Sequence, residues 1–345
     1  MPKLSFTELR RIFQYIPSFF SQHPLLSFIL RRLLAMIPIL LVTIFFFFFF
    51  MSLAPGDFFS AYYQNPEIDP SVIDHYRREF GLDQPFYLQF LHWLKKVLID
   101  HDLGISFSYR QPILDLIRPR MINTIILNSF SLLFTFLLAY PISFYFAYQP
   151  RKGLERTVNF VTLILYSTPS FFLALLGLLL AAATGLFPLG GATSVEHDAL
   201  PWIGKVLDRI HHLLLPVLLG FLGGLAGSIR SMKVLLQEEF RKPYITAIRA
   251  RGIEKIGIIK HAFRNALIPF ITGMSDILAG LISGSLFVEI IFGYPGIGKL
   301  MYEATLRQDY YLVLTNMILG NVLVLFGILL SDILLALADP RVRIK

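Results

Sequence analysis

The sequence predicts an all-α integral membrane protein with six transmembrane helices. The chain has a mean hydropathy of +0.63 and contains 55% hydrophobic residues, among them 33 Phe. Several uninterrupted apolar runs reach the length of about 20 residues that a helix needs to cross the hydrocarbon of a bilayer. The chain has no cysteine, which excludes a disulfide framework, a thiolate metal site and a cysteine nucleophile.

The N-terminal part of the chain predicts a basic segment followed by the first span. Residues 1–32 combine four arginines with apolar residues at helical spacing, a pattern typical of an amphipathic segment at the cytoplasmic membrane surface. Residues 33–54 form an apolar run that contains six consecutive phenylalanines. This run is predicted to be the first transmembrane helix.

Residues 55–120 are more polar and are predicted to form an extracytoplasmic segment. A Pro-Gly-Asp turn signal opens it. Short helices are expected over residues 71–81 and 84–99, and a loop is expected over residues 102–106. The segment therefore predicts a small helical structure on the outer face.

Five further apolar runs predict the remaining spans. They cover residues 122–147, 158–184, 213–229, 266–292 and 312–337. Pro141 and Pro169 are expected to interrupt the second and third spans, since a proline inside a helix frees a backbone carbonyl. Residues 185–212 are predicted to form a second external loop.

Polar residues inside these runs are candidates for the lining of a solute path. Asp276 lies about two turns inside the fifth span, where a carboxylate is costly enough to indicate a function. The alternative is a buried acid that is hydrogen-bonded to a neighbouring helix. Ser167 and Ser170 flank the proline of the third span, and Ser283 lies in the fifth; they either line the path or serve ordinary helix packing. Asp332, in the sixth span, is expected to reach interfacial water.

The loop at residues 233–269 is the strongest local signal in the chain. Nine lysines and arginines lie in or just before it, against three glutamates. Apolar residues at helical spacing predict a short helix over residues 244–251 that ends at Gly252, and a second helix is expected over residues 254–263. A positive loop that only fixes topology or touches anionic lipid is the alternative. It requires neither the helical pattern nor the terminating glycine, so the loop is predicted to dock against another subunit.

The distribution of charge orients the chain. With the N-terminus inside, 20 of the 31 lysines and arginines fall on the cytoplasmic side, where these residues are enriched in membrane proteins. Both termini and the loop are therefore predicted to be cytoplasmic. The net charge of +8 then requires no nucleic-acid partner. This assignment places two acids, Asp276 and Asp332, within the membrane.

The loop also carries a resemblance to a known family. Residues 244–252 (YITAIRARG) and 261–269 (HAFRNALIP) resemble the EAA loop of permease subunits of binding-protein-dependent ABC importers, in the dipeptide, oligopeptide and nickel branch. Thr-Ala-Ile stands at the Glu-Ala-Ala position, and the spacing between the two stretches is one residue short. REFGLDQP at residues 78–85, DLGIS at residues 102–106 and the Asp-Pro-Arg that ends at Arg341 are similar to other parts of the same family.

The resemblance implies that the loop forms a coupling helix that sits in a cleft of a separate ATPase subunit. The residues implied in that contact are Tyr244, Thr246, Ala247, Arg249, Ala250, Arg251 and Gly252. Arg264 and Asn265 would anchor the loop to the fifth span, and Pro269 would act as a hinge. Residues 121–345 would form the transmembrane domain of the importer.

The resemblance also implies partners. A second permease would complete a heterodimeric pore, two ATPase subunits would bind ATP and Mg²⁺, and an extracytoplasmic solute-binding protein would deliver the solute. No cofactor is expected on this chain, which would be a multi-pass protein of the bacterial inner membrane, in contact with lipid. A short peptide is the expected solute, with nickel or another small solute as the alternative. A secondary transporter or channel that uses Asp276 as an ion site is a further alternative, although such carriers usually show inverted repeats with paired broken helices.

One motif points falsely to nucleotide binding. Residues 293–299 (GYPGIGK) match G-x-x-x-x-G-K, but a phosphate-binding loop requires Ser or Thr next, a preceding strand and a following helix. Here Leu300 follows, a membrane helix precedes, and the loop is predicted to be external. The resembling family has a Tyr-Pro-Gly-Ile-Gly type of loop at this place, near the outer gate and the solute-binding protein. Catalytic serine and metal-ligand motifs are not found in the sequence.

Overall fold

The computed structural model describes residues 24–54, 56, 58–60, 63, 69–148, 152–283 and 286–338, and over these ranges the chain is helical, without a β-strand. The predicted all-α class is therefore confirmed. Fourteen α-helices lie in the described ranges: α1 Pro24–Leu53, α2 Pro70–Glu79, α3 Phe86–Ile99, α4 Ile113–Tyr148, α5 Lys152–Ser167, α6 Ser170–Thr184, α7 Trp202–Arg241, α8 Pro243–Ala250, α9 Lys255–Ala266, α10 Ile268–Thr272, α11 Met274–Ser283, α12 Leu286–Ile291, α13 Ile297–Leu306 and α14 Tyr310–Ala338.

Four of these helices, α1, α4, α7 and α14, are long and apolar enough to cross a membrane. Two further apolar stretches are bent, one by 100° between α5 and α6 and one by 66° between α10 and α11. Counting each bent pair as one crossing gives the six predicted spans. The third span is divided near Pro169, as expected, whereas the fifth span differs from the expected single helix because a break divides it.

The straight helices are longer than their predicted spans. Residues 24–32 continue α1 instead of forming a separate surface helix; residues 1–23, the rest of that predicted segment, lie outside the described residues. Helix α4 begins nine residues before position 122, because Ile113 and Ile117 pack in a core with Ile297 and Leu300. Tertiary contacts of this kind extend a helix beyond its hydrophobic run.

Helix α7 extends into two segments that were predicted to be loops. Its 40 residues include the end of the predicted second external loop and the beginning of the basic loop, so its length of about 60 Å is twice the thickness of the hydrocarbon. In front of α7, His197 lies 2.7 Å from the Asp208 carboxylate, which also accepts a hydrogen bond from the Ser194 amide. These contacts fold the remaining external loop back onto α7.

The two prolines predicted to interrupt spans behave differently. Pro141 lies within the continuous helix α4, so the predicted interruption there is wrong. Pro169 separates α5 from α6 and stands immediately before the first residue of α6, a position where proline loses no helical hydrogen bond. A proline breaks a span only where the packing around it does not keep the helix straight.

The most extensive helix contact joins α4 and α7 through small and hydroxyl-bearing residues. Ser131, Thr135 and Ser143 each place a hydroxyl within hydrogen-bond distance of one α4 carbonyl and one α7 carbonyl, the α7 distances being 3.3, 3.3 and 2.9 Å. Gly220 leaves room for the Ser131 hydroxyl, which would lie 2.6 Å from a Cβ at that position. Small residues allow such close approach in lipid, and the hydroxyls add cross-helix hydrogen bonds.

The broken fifth span obtains hydrogen-bond partners from its straight neighbours. The Ser331 hydroxyl of α14 lies 2.8 Å from the carbonyl of Ile271 and 3.0 Å from that of Thr272, at the break between α10 and α11. On the other side, the Asn128 amide of α4 donates to the carbonyls of Gly280 and Leu281. Non-helical backbone at membrane depth requires such partners.

The predicted external helices are confirmed as α2 and α3, and the segment that contains them packs on the outer end of α14. Phe107 is buried among aromatic rings, with ring centroids 4.8 Å from Phe80 and 5.4 Å from Tyr311. Beside it, the Asp309 carboxylate accepts hydrogen bonds from the Ser106 hydroxyl at 2.5 Å and the Ser108 amide at 2.9 Å. The external segment is therefore fixed to the last span.

The α4–α7 contact generates a prediction. Gly220→Ala should lower the free energy of unfolding by about 1–3 kcal/mol, because the added methyl displaces Ser131 from a tightly packed contact. Thermal unfolding in detergent measures the change. Gly223→Ala, with open space around its Cβ on the same helix, is the matched control and should be neutral or slightly stabilising. Equal stability of the two variants would contradict the packing account.

Candidate functional site

The basic loop contains the two short helices expected from its sequence. Helix α8 begins with Pro243 at its first position and ends at Ala250, and Gly252 follows with φ +73°. Proline is favoured at the start of a helix, and glycine takes the left-handed conformation just after its end. Helix α9 then begins at Lys255 and leads into the broken fifth span. The prediction of two helices separated by a glycine turn is confirmed.

One face of α8 is buried against α9. Ile245 is almost fully buried and forms a small core with Ile258 and Ala262, which Phe240 of α7 and Ile248 complete. The loop is therefore a packed unit with its own apolar core. Its position relative to the membrane helices is set by these contacts.

A hydrogen-bond chain connects α8 to α7 and to the end of α9. The Tyr244 hydroxyl donates to Glu239 at 2.8 Å and accepts from the Asn265 amide at 3.0 Å. The buried Glu239 carboxylate also forms an ion pair with Lys242. Partial burial, with the hydrogen bond to Glu239 as the second cause, raises the pKa of the Tyr244 phenol above its usual value.

The opposite face of this unit is exposed. The exposed residues of α8 and the following turn include those expected to contact an ATPase, namely Thr246, Ala247, Arg249, Ala250, Arg251 and Gly252. Tyr244 differs from the expectation, since its hydroxyl is engaged within the protein. We call these six exposed residues, together with Ile253 and Ile256, the cytoplasmic docking surface, after the side and the role that the sequence predicts for the loop.

Ile253 and Ile256 were not found by sequence reasoning. Their side chains are 39% and 75% exposed, and they follow the exposed Arg249 and Arg251 in the chain. Exposed apolar residues that are grouped next to a cationic helix are typical of an interaction site. The sequence did contain a signal for them. Both are apolar residues that follow the glycine turn, and neither continues the apolar spacing of α8.

The residues expected to anchor the loop are placed in different environments. Asn265 joins the hydrogen-bond chain through Tyr244. Arg264 is exposed, and within the described ranges it forms no hydrogen bond or ion pair. Pro269 lies at the start of α10, which ends at Thr272 where the fifth span breaks.

The four candidates for a solute path are not brought together by any contact among the described residues. Asp276 lies in the first turn of α11 and is exposed, so it is not the hydrogen-bonded buried acid of the alternative interpretation. Ser167 and Ser170 are exposed on the two sides of the 100° bend. The side chain of Ser283 lies outside the described part of the chain.

Asp332 differs from its expected role. Its carboxylate lies 2.8 Å from the Arg32 guanidinium of α1. The acid therefore pairs with a cation of another helix instead of only reaching interfacial water. This ion pair joins the first and last spans.

The residues around the G-x-x-x-x-G-K pattern form an anion site that the protein itself occupies. Glu289 is fully buried, and its carboxylate accepts hydrogen bonds from the Thr124 hydroxyl at 2.8 Å and the Lys299 amide at 3.0 Å. Helix N-termini bind anions in this way. Gly296 and Gly298 therefore lie against a carboxylate instead of a phosphate. Sequence reasoning did not single out Glu289 and missed this burial.

The described residues contain no group of three or more His, Asp or Glu side chains that could hold a metal ion. Over these residues the geometry is that of a helical membrane component with an exposed cationic surface on one loop.

Comparison with known proteins agrees with this geometry. The family model described as binding-protein-dependent transport system inner membrane component matches residues 139–344, and the model for the N-terminal part of such components matches residues 25–132. The chain is 32% identical to the oligopeptide transport system permease protein AppB of Bacillus subtilis over 92% of this chain and 99% of that protein. It is 31% identical to the inner membrane ABC transporter permease protein YejB of Escherichia coli O157:H7, over 82% of this chain and 79% of that protein.

A third relative is the glutathione transport system permease protein GsiC of Escherichia coli O6:H1, which is 29% identical over 93% of this chain and its own full length. The family matches cover most of the chain, including the cytoplasmic docking surface and both broken spans. The chain therefore belongs to the inner membrane permease components of binding-protein-dependent ABC transport systems.

Proposed function

We propose that this permease subunit imports short peptides with energy from ATP hydrolysed on separate subunits. The permeases to which the chain is similar are named for oligopeptide and glutathione transport, and peptides are the solute class that these names have in common. A solute-binding protein would deliver the peptide on the outer face. A second permease would complete the pore as a heterodimer.

The observation that carries the proposal is the cytoplasmic docking surface. It combines exposed arginines with Ile253 and Ile256 on a unit whose other face is packed, so its residues can contact a partner without unfolding the loop. Two ATPase subunits would supply bound ATP and Mg²⁺. In this proposal the chain itself binds no cofactor.

The hydrogen-bond chain of Glu239, Tyr244 and Asn265 supplies a route for movement. It joins α8 to the end of α7 and to the last turn of α9, which leads through Pro269 and α10 to the break after Thr272. A displacement of α8 by the ATPases would therefore reach the broken fifth span, and the break would act as a hinge. Rigid-body movement of this kind is a common basis for alternating access.

The orientation follows from charge. Arginine and lysine concentrate on the docking surface and the neighbouring helix ends, including Lys233 of α7, which pairs with Glu155 of α5. Cationic residues are retained on the cytoplasmic side of a membrane protein. We therefore propose that the docking surface and both termini lie in the cytoplasm.

Ile256→Asp tests the docking surface. The substitution should weaken binding of the ATPase subunits by roughly a factor of 10 or more, since it replaces an apolar contact by a charge. Co-purification from membranes and peptide uptake are the measurements. Val195→Asp, at a 98% exposed apolar residue of the external loop, is the control and should leave co-purification intact. Full ATPase binding by the Ile256 variant would contradict this assignment.

Tyr244→Phe tests the route from the docking surface to the fifth span. Loss of the hydroxyl leaves Asn265 and Glu239 without their shared partner and should reduce the local stability of α8 by about 1–2 kcal/mol. Amide hydrogen exchange of residues 243–252 measures the change. Thr246→Val removes an exposed hydroxyl from the same helix and serves as the control. Unchanged exchange in the Tyr244 variant would show that the chain of hydrogen bonds does not hold α8.

The energy source separates this proposal from a secondary transporter. Uptake should stop when ATP is depleted and should continue when the proton gradient alone is collapsed. The reverse result would favour an ion-coupled carrier, for which the exposed Asp276 is the candidate ion site.

A further inference from the structure

The outer end of the fifth span contains a buried acid to which the transport proposal assigns no role. Glu289 lies in α12, its side chain is fully buried, and no lysine or arginine forms an ion pair with it among the described residues. A buried carboxylate without a cation requires hydrogen-bond donors to remain in place. Its partners therefore indicate what it holds.

The partners come from two other helices. The Thr124 hydroxyl of α4 donates to Oε1 of Glu289 at 2.8 Å, and the Lys299 amide in the first turn of α13 donates to Oε2 at 3.0 Å. Thr124 has a second function, because its oxygen accepts the amide of Ile297, the first residue of α13, at 2.8 Å. We call Glu289, Thr124 and these two amides the outer clasp.

The chain around the outer clasp leaves space only for this arrangement. A Cβ at Gly296 would overlap the Glu289 carboxylate, and a Cβ at Gly298 would lie 3.0 Å from its Oε2. The carboxylate also lies at the positive end of α13, where a negative charge is favourable. The close approach of Glu289 thus explains Gly298 of the pattern and the additional Gly296.

Helix α13 connects the outer clasp with the external segment. Glu303 on α13 accepts a hydrogen bond from the Tyr109 hydroxyl at 2.5 Å, and Asp309 just after α13 accepts one from Ser106 at 2.5 Å. Movement of the external segment is therefore passed to α13. Through the clasp it reaches α12, the outer end of the broken fifth span.

We propose that Glu289 is the positioning residue that couples the external face to the gate. It holds α13 in register with α12, so a solute-binding protein that docks on the external segment acts on the fifth span. This inference rests on the proposed function, because that proposal supplies the solute-binding protein that would dock on the external segment. The position of α13 itself depends only on the residues of this chain.

The first measurement concerns position. The chain has no cysteine, so spin labels at Leu306→Cys on α13 and Phe287→Cys on α12, both at exposed residues, report one distance in the full chain reconstituted in lipid. Glu289→Gln should broaden that distance distribution, because the amide removes the negative charge that both donors face, and an NH₂ group turned toward Thr124 leaves the hydroxyl proton without its acceptor. Glu196→Gln, at an exposed acid of the external loop, is the control for loss of charge.

A second variant keeps the test decisive if Glu289→Gln does not fold. Thr124→Val preserves the shape of the side chain but removes the hydroxyl, and it should broaden the same distance distribution. Thr124→Ser retains the hydroxyl and should restore the narrow distribution. An unchanged distance distribution in Glu289→Gln and Thr124→Val would overturn the clasp.

The second measurement concerns transport in the complete complex. Uptake driven by the solute-binding protein should fall roughly tenfold or more in Glu289→Gln and Thr124→Val, the factor that a buried hydrogen bond to a charged group supplies. Co-purification of the ATPases and their basal hydrolysis should remain. Normal uptake with a broadened distance would overturn the coupling role. Because the label distance requires no partner, failure of the transport proposal itself would leave the clasp measurement valid.

Discussion

The absence of hydrogen-bond partners in hydrocarbon is the constraint on which this structure depends. A helix that breaks inside a membrane exposes carbonyl and amide groups that lipid cannot satisfy. The fifth span breaks after Thr272, and the carbonyls of Ile271 and Thr272 at this break lie within hydrogen-bond distance of the Ser331 hydroxyl of α14. Asn128 of α4 meets the carbonyls of Gly280 and Leu281. Helices α4 and α14 thus supply the hydrogen-bond partners that the broken fifth span requires.

The same constraint explains why α4 carries a series of polar residues on faces that contact other helices. Its hydroxyls from Ser131 to Ser143 bind carbonyls of α7, while Thr124 and Asn128 serve the fifth span. Helix α4 therefore connects the two parts of the molecule. A break that is held from both sides can change its angle without losing contact with its neighbours, as a hinge requires.

The broken span is tied to different structures at its two ends. At the end that we propose to face the cytoplasm, Asn265 and Tyr244 connect it with the docking surface. At the opposite end, Glu289 connects it with α13 and so with the external segment. A permease must link events on the two faces of a membrane, and here one discontinuous element lies between the two links. The straight spans α1 and α14, joined by Arg32 and Asp332, supply a frame.

The sequence by itself determined the helical class, the sixth span, the two external helices and the glycine turn at Gly252, because apolar runs and glycine conformation are local properties. It also located most of the exposed docking residues, although Ile253 and Ile256 escaped a search based on charge. Only the tertiary structure decided that Pro141 stays within a helix while Pro169 marks a bend, and that Glu289 is buried. These outcomes depend on which groups approach from other helices, and those partners lie more than 100 residues away in the case of Thr124 and Glu289.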